Sequence, residues 1–275
     1  MTTRYDSPEE AVKNVQAWRI QQGELPQTES AALAREALVG VQIAGVGNYM
    51  MLCTPFELEA LAVGFAYSEG LLSGPDDVAS VTMEPTGFWS AAVRLELRSA
   101  PEPAVPRNLI VTSSCGLCGS QVEKGLEGPA VGSRMRVAGP QLIRVADSMW
   151  GQQTLFRRTG GTHAAGLFDQ NGDLLSFAED SGRHNALDKA IGKCLLAGGK
   201  TDGCGTVISG RISYELIIKS ARAGLEVVAG VSAPSALAAQ AAEQRNITLC
   251  GFLRSDRLTV YSHPYRFTDL PEFKP

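Results

Sequence analysis

Residues 206–215 read TVISGRISYE, a short apolar run followed by a glycine turn and the start of an amphipathic segment. The run at 206–208 predicts a buried strand, and residues 212–223, closed by Gly224, predict a helix. The same alternation continues on both sides, with strands predicted at 174–177, 226–231, 247–253 and 257–261 and helices at 186–196 and 234–245. This order predicts an α/β sheet with right-handed crossovers and space for an antiparallel edge strand.

The first hundred residues give a more mixed pattern. Residues 8–20 predict a short amphipathic helix, whereas Thr54, Pro55 and Glu57 form a capping pattern that predicts a helix over 55–69. Residues 93–97 alternate as a strand. Three prolines within residues 101–106 exclude a helix or a central strand there.

The prolines divide the chain into two expected domains. We predict a smaller N-terminal α+β domain over residues 1–107 and a larger α/β domain over residues 108–275. The second domain is expected to open with a strand at 108–111 and to contain an amphipathic helix that begins at Pro140.

The tripeptide Ser-Gly-Arg occurs twice, each time between a predicted strand and the next helix. The copies end in Arg183 and Arg211, and one βα unit fills the spacing between them. Both arginines are therefore expected at one edge of the sheet, the edge formed by the carboxyl ends of the strands, where open α/β proteins bind ligands. Arginine at a helix N-terminus opposes the helix dipole, but with the free amides of the first turn it makes an anion receptor.

Neighbouring residues extend this predicted anion site. His184 and Lys189 add positive charge, Asp188 is placed to orient them, and Ser232 belongs to a third strand-to-helix turn on the same edge. Alternatively, these turns only cap helices, and their arginines are solvated or paired with acidic neighbours. Those neighbours are Glu179, Asp180 and Glu215. Two matching copies favour a phosphate-rich ligand.

Charge and composition exclude several classes of protein. The chain carries 25 basic and 29 acidic residues, a formal net charge of −4, so no overall field attracts nucleic acid. No run of about 18 apolar residues predicts a membrane span, and the acidic start is unlike a signal peptide. We expect a cytoplasmic protein that binds neither nucleic acid nor membrane.

Only Cys115 and Cys118 lie close together among the six cysteines. Two thiols in this Cys-x-x-Cys pattern can act as nucleophile and resolving thiol, or can bind a metal. Zinc needs about four ligands, and the chain has neither a second Cys-x-x-Cys nor the His-x-Glu of zinc deaminases. We predict no metal site and interpret the other four cysteines as structural. Those are Cys53, Cys194, Cys204 and Cys250.

Several longer motifs occur in one order along the chain. They include SSCGLCG at 113–119, TGGTHAA at 159–165, GRHNALDK at 182–189, VSAP at 231–234 and TLCGFLR at 248–254. Together they resemble the formate dehydrogenase accessory sulfurtransferases, the FdhD family, over about residues 40–265.

The resemblance implies a cytidine-deaminase-like layered α/β fold, a homodimer and a sulfur carrier. Family members take sulfur from a cysteine desulfurase as a persulfide, here on Cys115. They pass it to molybdenum (or tungsten) bis(molybdopterin guanine dinucleotide) before this group enters formate dehydrogenase. The dinucleotide is then a bound substrate, which guanine nucleotides are expected to mimic. Cys118 is expected to release the sulfur.

The predicted cofactor-binding residues lie on the three turns and on a segment that binds the cofactor in the family. They are Gly182, Arg183, His184, Ser209, Gly210, Arg211, Ser232, Phe252, Leu253, Arg254, Ser255, Asp256 and Arg257. Two other functions stay open at this point: a chaperone that only shields the cofactor, and a dithiol oxidoreductase.

Overall fold

The computed structural model describes residues 7–84, 91–98, 109–111 and 129–271. Cys115, Cys118 and the prolines at 101–106 lie outside these residues. The described strands form a two-stranded hairpin, a five-stranded sheet and a six-stranded sheet.

The hairpin consists of β1 (Val12–Arg19) and β2 (Gln27–Ala34), which pair antiparallel along their whole length. The helix predicted over residues 8–20 is therefore wrong. Only a 3-10 helix, Pro8–Ala11, precedes β1. The antiparallel ladder supplies cross-strand hydrogen bonds along the whole of β1 and outweighs the weak helical spacing of its apolar residues.

The five-stranded sheet is built from the N-terminal part of the chain. Its strands are β3 (Ala37–Ile43), β4 (Gly47–Cys53), β5 (Val78–Glu84), β6 (Ala91–Leu97) and β7 (Leu109–Val111). The strand order is β5-β6-β3-β4-β7, with β7 parallel to β4. Buried residues alternate along β3, as expected for a sheet with one face on the core. The strands predicted at 93–97 and 108–111 are confirmed.

The helix predicted over residues 55–69 is present but begins later, as α1 (Leu58–Ser68). Glu57 occupies the N-cap position with a left-handed φ of 55° and no side-chain cap. Thr54 does not cap the helix. Its amide donates to the Asp180 carboxylate, and its hydroxyl accepts a hydrogen bond from the Ser181 amide.

The six-stranded sheet carries the two Ser-Gly-Arg turns. Its strands are β8 (His163–Phe168), β9 (Leu174–Asp180), β10 (Gly205–Ile208), β11 (Val227–Gly230), β12 (Thr248–Gly251) and β13 (Thr259–Val260). The order is β13-β12-β11-β10-β8-β9. β8 and β13 run antiparallel to their neighbours, whereas β10, β11 and β12 are parallel. The predicted strands and the antiparallel edge strand are confirmed, but β8 was not predicted.

Five further helices are described. They are α2 (Gly139–Gln152), α3 (Thr154–Thr159), α4 (Arg183–Leu196), α5 (Tyr214–Arg222) and α6 (Ala236–Gln244). Successive residues of β8 and β11 belong to two different apolar clusters, so this sheet buries both faces. α2 packs on one face, and α4, α5 and α6 join the other. The predicted α/β class is confirmed. No helix in the described ranges is both long and apolar enough to cross a membrane.

Two glycines hold α1 and α4 in close contact. A Cβ on Gly64 would lie 1.7 Å from the carbonyl oxygen of Asp188, and a Cβ on Gly192 would lie 1.9 Å from that of Ala60. Only glycine permits this approach. α1 and the five-stranded sheet share one apolar cluster with α4 and the second sheet. The boundary between residues 107 and 108 stays a prediction, and residues 109–111 pair with the first sheet.

Candidate functional site

Both Ser-Gly-Arg turns lie at the same edge of the six-stranded sheet. The first follows β9 and the second follows β10, and these strands run in the same direction with the antiparallel β8 between them. The prediction that Arg183 and Arg211 share an edge is therefore confirmed. Since β8 runs the other way, its first residue, His163, lies at this edge too.

A buried carboxylate fixes the first turn. Asp180 accepts hydrogen bonds from the Gly182 amide at 2.8 Å and from the Asn185 side chain at 3.0 Å. Its second oxygen accepts the Thr54 amide at 3.0 Å, and the Ser181 amide donates to the Thr54 hydroxyl at 2.9 Å. The backbone that presents Arg183 is thus tied to the tip of β4.

Lys189 and Asp188 do not belong to the anion site, so this expectation is wrong. The Lys189 ammonium lies 2.6 Å from the Asp180 carboxylate, and both side chains are fully buried. Asp188 instead pairs with Lys219 at 3.0 Å and accepts the Ser68 hydroxyl at 2.6 Å. Burial raises the pKa of the Asp188 carboxyl. Because α4 is buried on nearly all sides, the side chains of Asp188 and Lys189 both bond to buried groups of the core.

The acidic residues that could have neutralised the arginines have other partners. Glu179 accepts the amides of Leu155 and Phe156 at the start of α3, and Glu215 lies 3.0 Å from the His184 ring. Among the described residues Asp180 pairs with Lys189, and no ion pair joins Arg183 or Arg211 to Glu179 or Asp180. Arg211 is exposed. The Arg183 Nε is buried and has no hydrogen-bond partner among the described residues.

The second turn packs directly against the first. A Cβ on Gly210 would lie 3.3 Å from Nδ1 of His163 and 3.6 Å from Cβ of Arg183. The Ser209 hydroxyl accepts the Ala164 amide at 2.8 Å. The two turns and His163 therefore form one continuous surface.

His184 and His163 differ in their surroundings. The His184 ring is buried, with Nε2 also 3.1 Å from the Ser213 hydroxyl. The His163 ring is partly buried. Burial lowers its pKa, and the nearby charges of Arg183 and His184 act in the same direction, against Asp180.

The predicted segment 252–257 lies beside the third turn. The Phe252 amide donates to the Ser232 carbonyl at 3.3 Å, and Phe252 itself is exposed with a positive φ of 52°. The Arg254 guanidinium donates to the Leu253 and Val231 carbonyls. β11 and β12 end at the same edge as β10.

The remaining members of this segment differ in exposure. Leu253 is buried in the core, whereas Ser255, Asp256 and Arg257 are exposed. Arg257 lies 3.5 Å from the Asp256 carboxylate. Leu253 therefore supports the segment from beneath, and the polar residues carry its outer surface.

The Cys-x-x-Cys pair follows β7, which ends at Val111 beside Met51 of β4. The tip of β4 contacts the first turn and the helix after it, since the Ser181 amide donates to the Thr54 hydroxyl and the Asn185 side chain of α4 donates to the Leu52 carbonyl, both at 2.9 Å. The strand that leads to Cys115 thus ends near the arginine edge. The four other cysteines are all buried, as predicted for structural residues, and burial raises the pKa of Cys204 to about 11.

Comparison with known proteins decides the family. The model of the FdhD/NarQ family matches residues 34–268. The chain belongs to the FdhD/NarQ family. It is 37% identical to "Sulfur carrier protein FdhD" of Bordetella bronchiseptica over 86% of this chain and 88% of that protein. It is 36% identical to the protein of the same name from Xanthomonas campestris pv. campestris, over 97% and 96% of the two chains.

A solved structure supports the fold of this FdhD/NarQ chain. It is described as a formate dehydrogenase accessory protein from Desulfotalea psychrophila. The two structures agree with a TM-score of 0.75 at 21% identity, over 94% of this chain and 99% of that one. At this identity the likeness supports the fold alone.

Sequence reasoning missed three residues of the site in this FdhD/NarQ chain. His163 occurs in the motif TGGTHAA, yet nothing in its spacing predicted that β8 would place it between the two arginine turns. Thr54 and Asp180 hold the first turn, but they are 126 residues apart. The only available signals were that Thr54 precedes the helix predicted over 55–69 and that Asp180 immediately precedes the first Ser-Gly-Arg turn.

Proposed function

We propose that this protein is a sulfur carrier that accepts sulfur from a cysteine desulfurase and delivers it to a phosphate-bearing pterin cofactor. The names of its relatives support the sulfur-carrier role. The structural observation that carries the proposal is the cationic sheet edge beside the strand that leads to Cys115. The delivery substrate is molybdenum or tungsten bis(molybdopterin guanine dinucleotide), and the protein served is formate dehydrogenase.

The cationic edge suits a substrate with several phosphates. Arg183, Arg211 and Arg254 follow β9, β10 and β12, respectively, at one edge. Among the described residues Arg254 donates to two backbone carbonyls, Arg211 is exposed, and the Arg183 Nε has no hydrogen-bond partner. Guanidinium groups bind phosphate oxygens through short charge-assisted hydrogen bonds. The overall charge of −4 means that this attraction is local.

The proposed chemistry moves one sulfur atom. The Cys115 thiolate attacks the outer sulfur of the desulfurase persulfide, which forms a persulfide on Cys115 and releases the desulfurase thiolate. The Cys118 thiolate then attacks the inner sulfur of this persulfide. A Cys115–Cys118 disulfide forms, and the outer sulfur leaves as hydrosulfide for the metal. An external thiol reductant reopens the disulfide, so atoms and electrons balance.

The described strands support a short path for this delivery. Val111 lies opposite Met51 of β4. Thr54, three residues after Met51, bonds to Asp180 and Ser181. Cys115 is the fourth residue after Val111, and an extended chain of four residues spans at most about 14 Å. The thiol and the arginine edge are therefore within reach of one another.

The family resemblance supports the finer parts of the proposal. These are a cytidine-deaminase-like layering of the second sheet, a homodimer and a cytoplasmic location. We place no metal in the protein itself, because the metal belongs to the substrate.

Mass spectrometry of the intact protein tests the proposal. After incubation with a cysteine desulfurase and free cysteine, wild-type protein should gain a reductant-labile mass of one sulfur atom on Cys115. Cys115→Ala should gain none, and cells that carry only this variant should lack formate dehydrogenase activity. The buried Cys250→Ala is the matched control and should behave as wild type. Absence of sulfur on wild type would favour a cofactor-shielding chaperone or a dithiol oxidoreductase.

A further inference from the structure

His163 lies between the two arginine turns without belonging to either. It is the first residue of β8 and pairs in register with Asp180, the last residue of β9. On the other side, its ring packs on Gly210 of the second turn. Any ligand that bridges Arg183 and the second turn would have to pass this imidazole.

The charges around the imidazole come from two elements. Burial is the largest effect that disfavours its protonation; Arg183 and His184 on α4 also disfavour it, whereas Asp180 on β9 favours it. Asp180 is already bonded to Lys189 and to the Gly182 amide. In the turn after β10, Ser209 and Gly210 carry no charge, and the charged Arg211 is exposed to solvent. The net effect lowers the His163 pKa, which favours the neutral ring in the free protein.

Two polar groups at this place lack partners. Across the described residues, neither ring nitrogen of His163 takes part in a side-chain hydrogen bond, and the Arg183 Nε is buried without one. A buried donor without a hydrogen-bond partner destabilises the free protein. An anion with several oxygens can accept from both side chains at once, which relieves the Arg183 donor and screens its charge from the imidazole.

We propose that His163 is a phosphate-binding residue that takes up one proton from solvent when a phosphate group binds beside Arg183. The proposal rests on the proposed binding of a guanine dinucleotide at this edge. It adds a residue to that site and couples binding to pH. The neutral imidazole gains a proton and becomes a second cation, and no other bond changes.

The sign of the coupling follows from linkage. The bound anion raises the pKa of His163, so the complex holds more protons than the free protein between the two values. Affinity should therefore rise as pH falls through this window, by at most about tenfold per pH unit for one proton. Above the bound-state pKa the contribution of His163 is lost.

Proton NMR titration of the wild-type protein tests this directly, since the chain has only three histidines. The signals of His163 and His263 are assigned with His163→Gln and His263→Gln. Guanosine diphosphate should move the His163 midpoint upward by half a pH unit or more. Guanosine, which lacks phosphate, should leave it unchanged. His263, which contacts the Glu243 carbonyl, serves as the internal control.

Calorimetry provides the second measurement. Guanosine diphosphate binding is measured at pH 6.5 in two buffers of different ionisation heat, and the difference gives the protons taken up. Wild type and His263→Gln should take up more protons than His163→Gln, which removes the titration of the nucleotide itself from the comparison. Binding with an unchanged His163 midpoint would overturn this inference alone. No binding at any pH would overturn the proposed substrate as well.

Discussion

Asp180 and Lys189 form an ion pair in which both side chains are fully buried and the Lys189 ammonium lies 2.6 Å from the carboxylate. The ammonium also donates to the Thr54 carbonyl at 3.0 Å. One carboxylate thus joins the tip of β4, the first turn of α4 and the loop that presents Arg183. Buried charges, and not loop contacts alone, set the position of the arginine edge relative to the strand before Cys115.

Removing the ammonium should strongly destabilise the protein. In Lys189→Met the Asp180 carboxylate stays buried without its countercharge, and the free energy of unfolding should fall by about 3–5 kcal/mol. Lys193→Met is the matched control on the same helix, since Lys193 pairs with Glu57 near the surface. It should change stability by about 1 kcal/mol or less. Urea unfolding curves measure both, and equal small losses would contradict this account.

The sequence indicated the arginine edge but not which side chains of α4 reach it. In an amphipathic helix the polar residues mark the face that points away from the core. In α4, by contrast, almost every residue from His184 to Leu195 is buried. Asp188 and Lys189 therefore looked like surface charges beside Arg183. Besides Asp180, their partners are Ser68 on α1, Lys219 on α5 and Thr54 just after β4. These three lie in segments far away in the chain, which spacing alone does not indicate.

Strands and parallel order were easier to predict than the N-terminal hairpin. Apolar runs such as residues 206–208 are short, buried on both faces and bounded by turns, so their pattern is clear. β1 carries only partly buried or exposed residues, and its spacing suits a helix as well as a strand. Pairing with β2 decides the outcome there.

Gly210→Ala should weaken nucleotide binding several-fold with little loss of stability. The added Cβ would lie 3.3 Å from the His163 ring, so the ring must shift within the surface that it shares with the two turns. Gly74→Ala adds the same methyl where no atom lies within 4 Å and should bind as wild type. Calorimetric titration with guanosine diphosphate compares the two, and equal affinities would remove Gly210 from the site.

Arg183→Ala and Arg211→Ala should each weaken guanosine diphosphate binding by about 1.5–3 kcal/mol, as expected for the loss of a charge-assisted hydrogen bond. Wild-type affinity should fall as salt rises, because exposed charge contacts are screened. Arg144→Ala, an exposed arginine on α2, is the matched control. If all three variants keep wild-type affinity, the turns only cap their helices.

Alkylation of the native protein at pH 8 should modify no more than two cysteines, Cys115 and Cys118. Burial raises the pKa of the other four thiols. A thiol with a pKa of about 11, as for Cys204, is ionised in only about one molecule in a thousand at this pH. In urea all six should react. Modification of Cys204 in the native protein, located by peptide mass spectrometry, would contradict this assignment.

The last prediction concerns the coupling of the Cys115 thiol to the arginine edge. The thiol lies four residues beyond Val111, whose strand pairs with β4, and the tip of β4 is bonded to the Arg183 turn. A ligand at that turn should therefore restrict access to the thiol. We expect saturating guanosine diphosphate to slow alkylation of Cys115 several-fold in wild type and to have no effect in Arg183→Ala, which lacks the phosphate contact. Protection in both proteins would place the nucleotide on the cysteine segment itself. Equal alkylation rates with and without nucleotide in wild type would mean that the two sites act independently. Sulfur delivery would then require the pterin, the metal or a third protein to bring the two sites together.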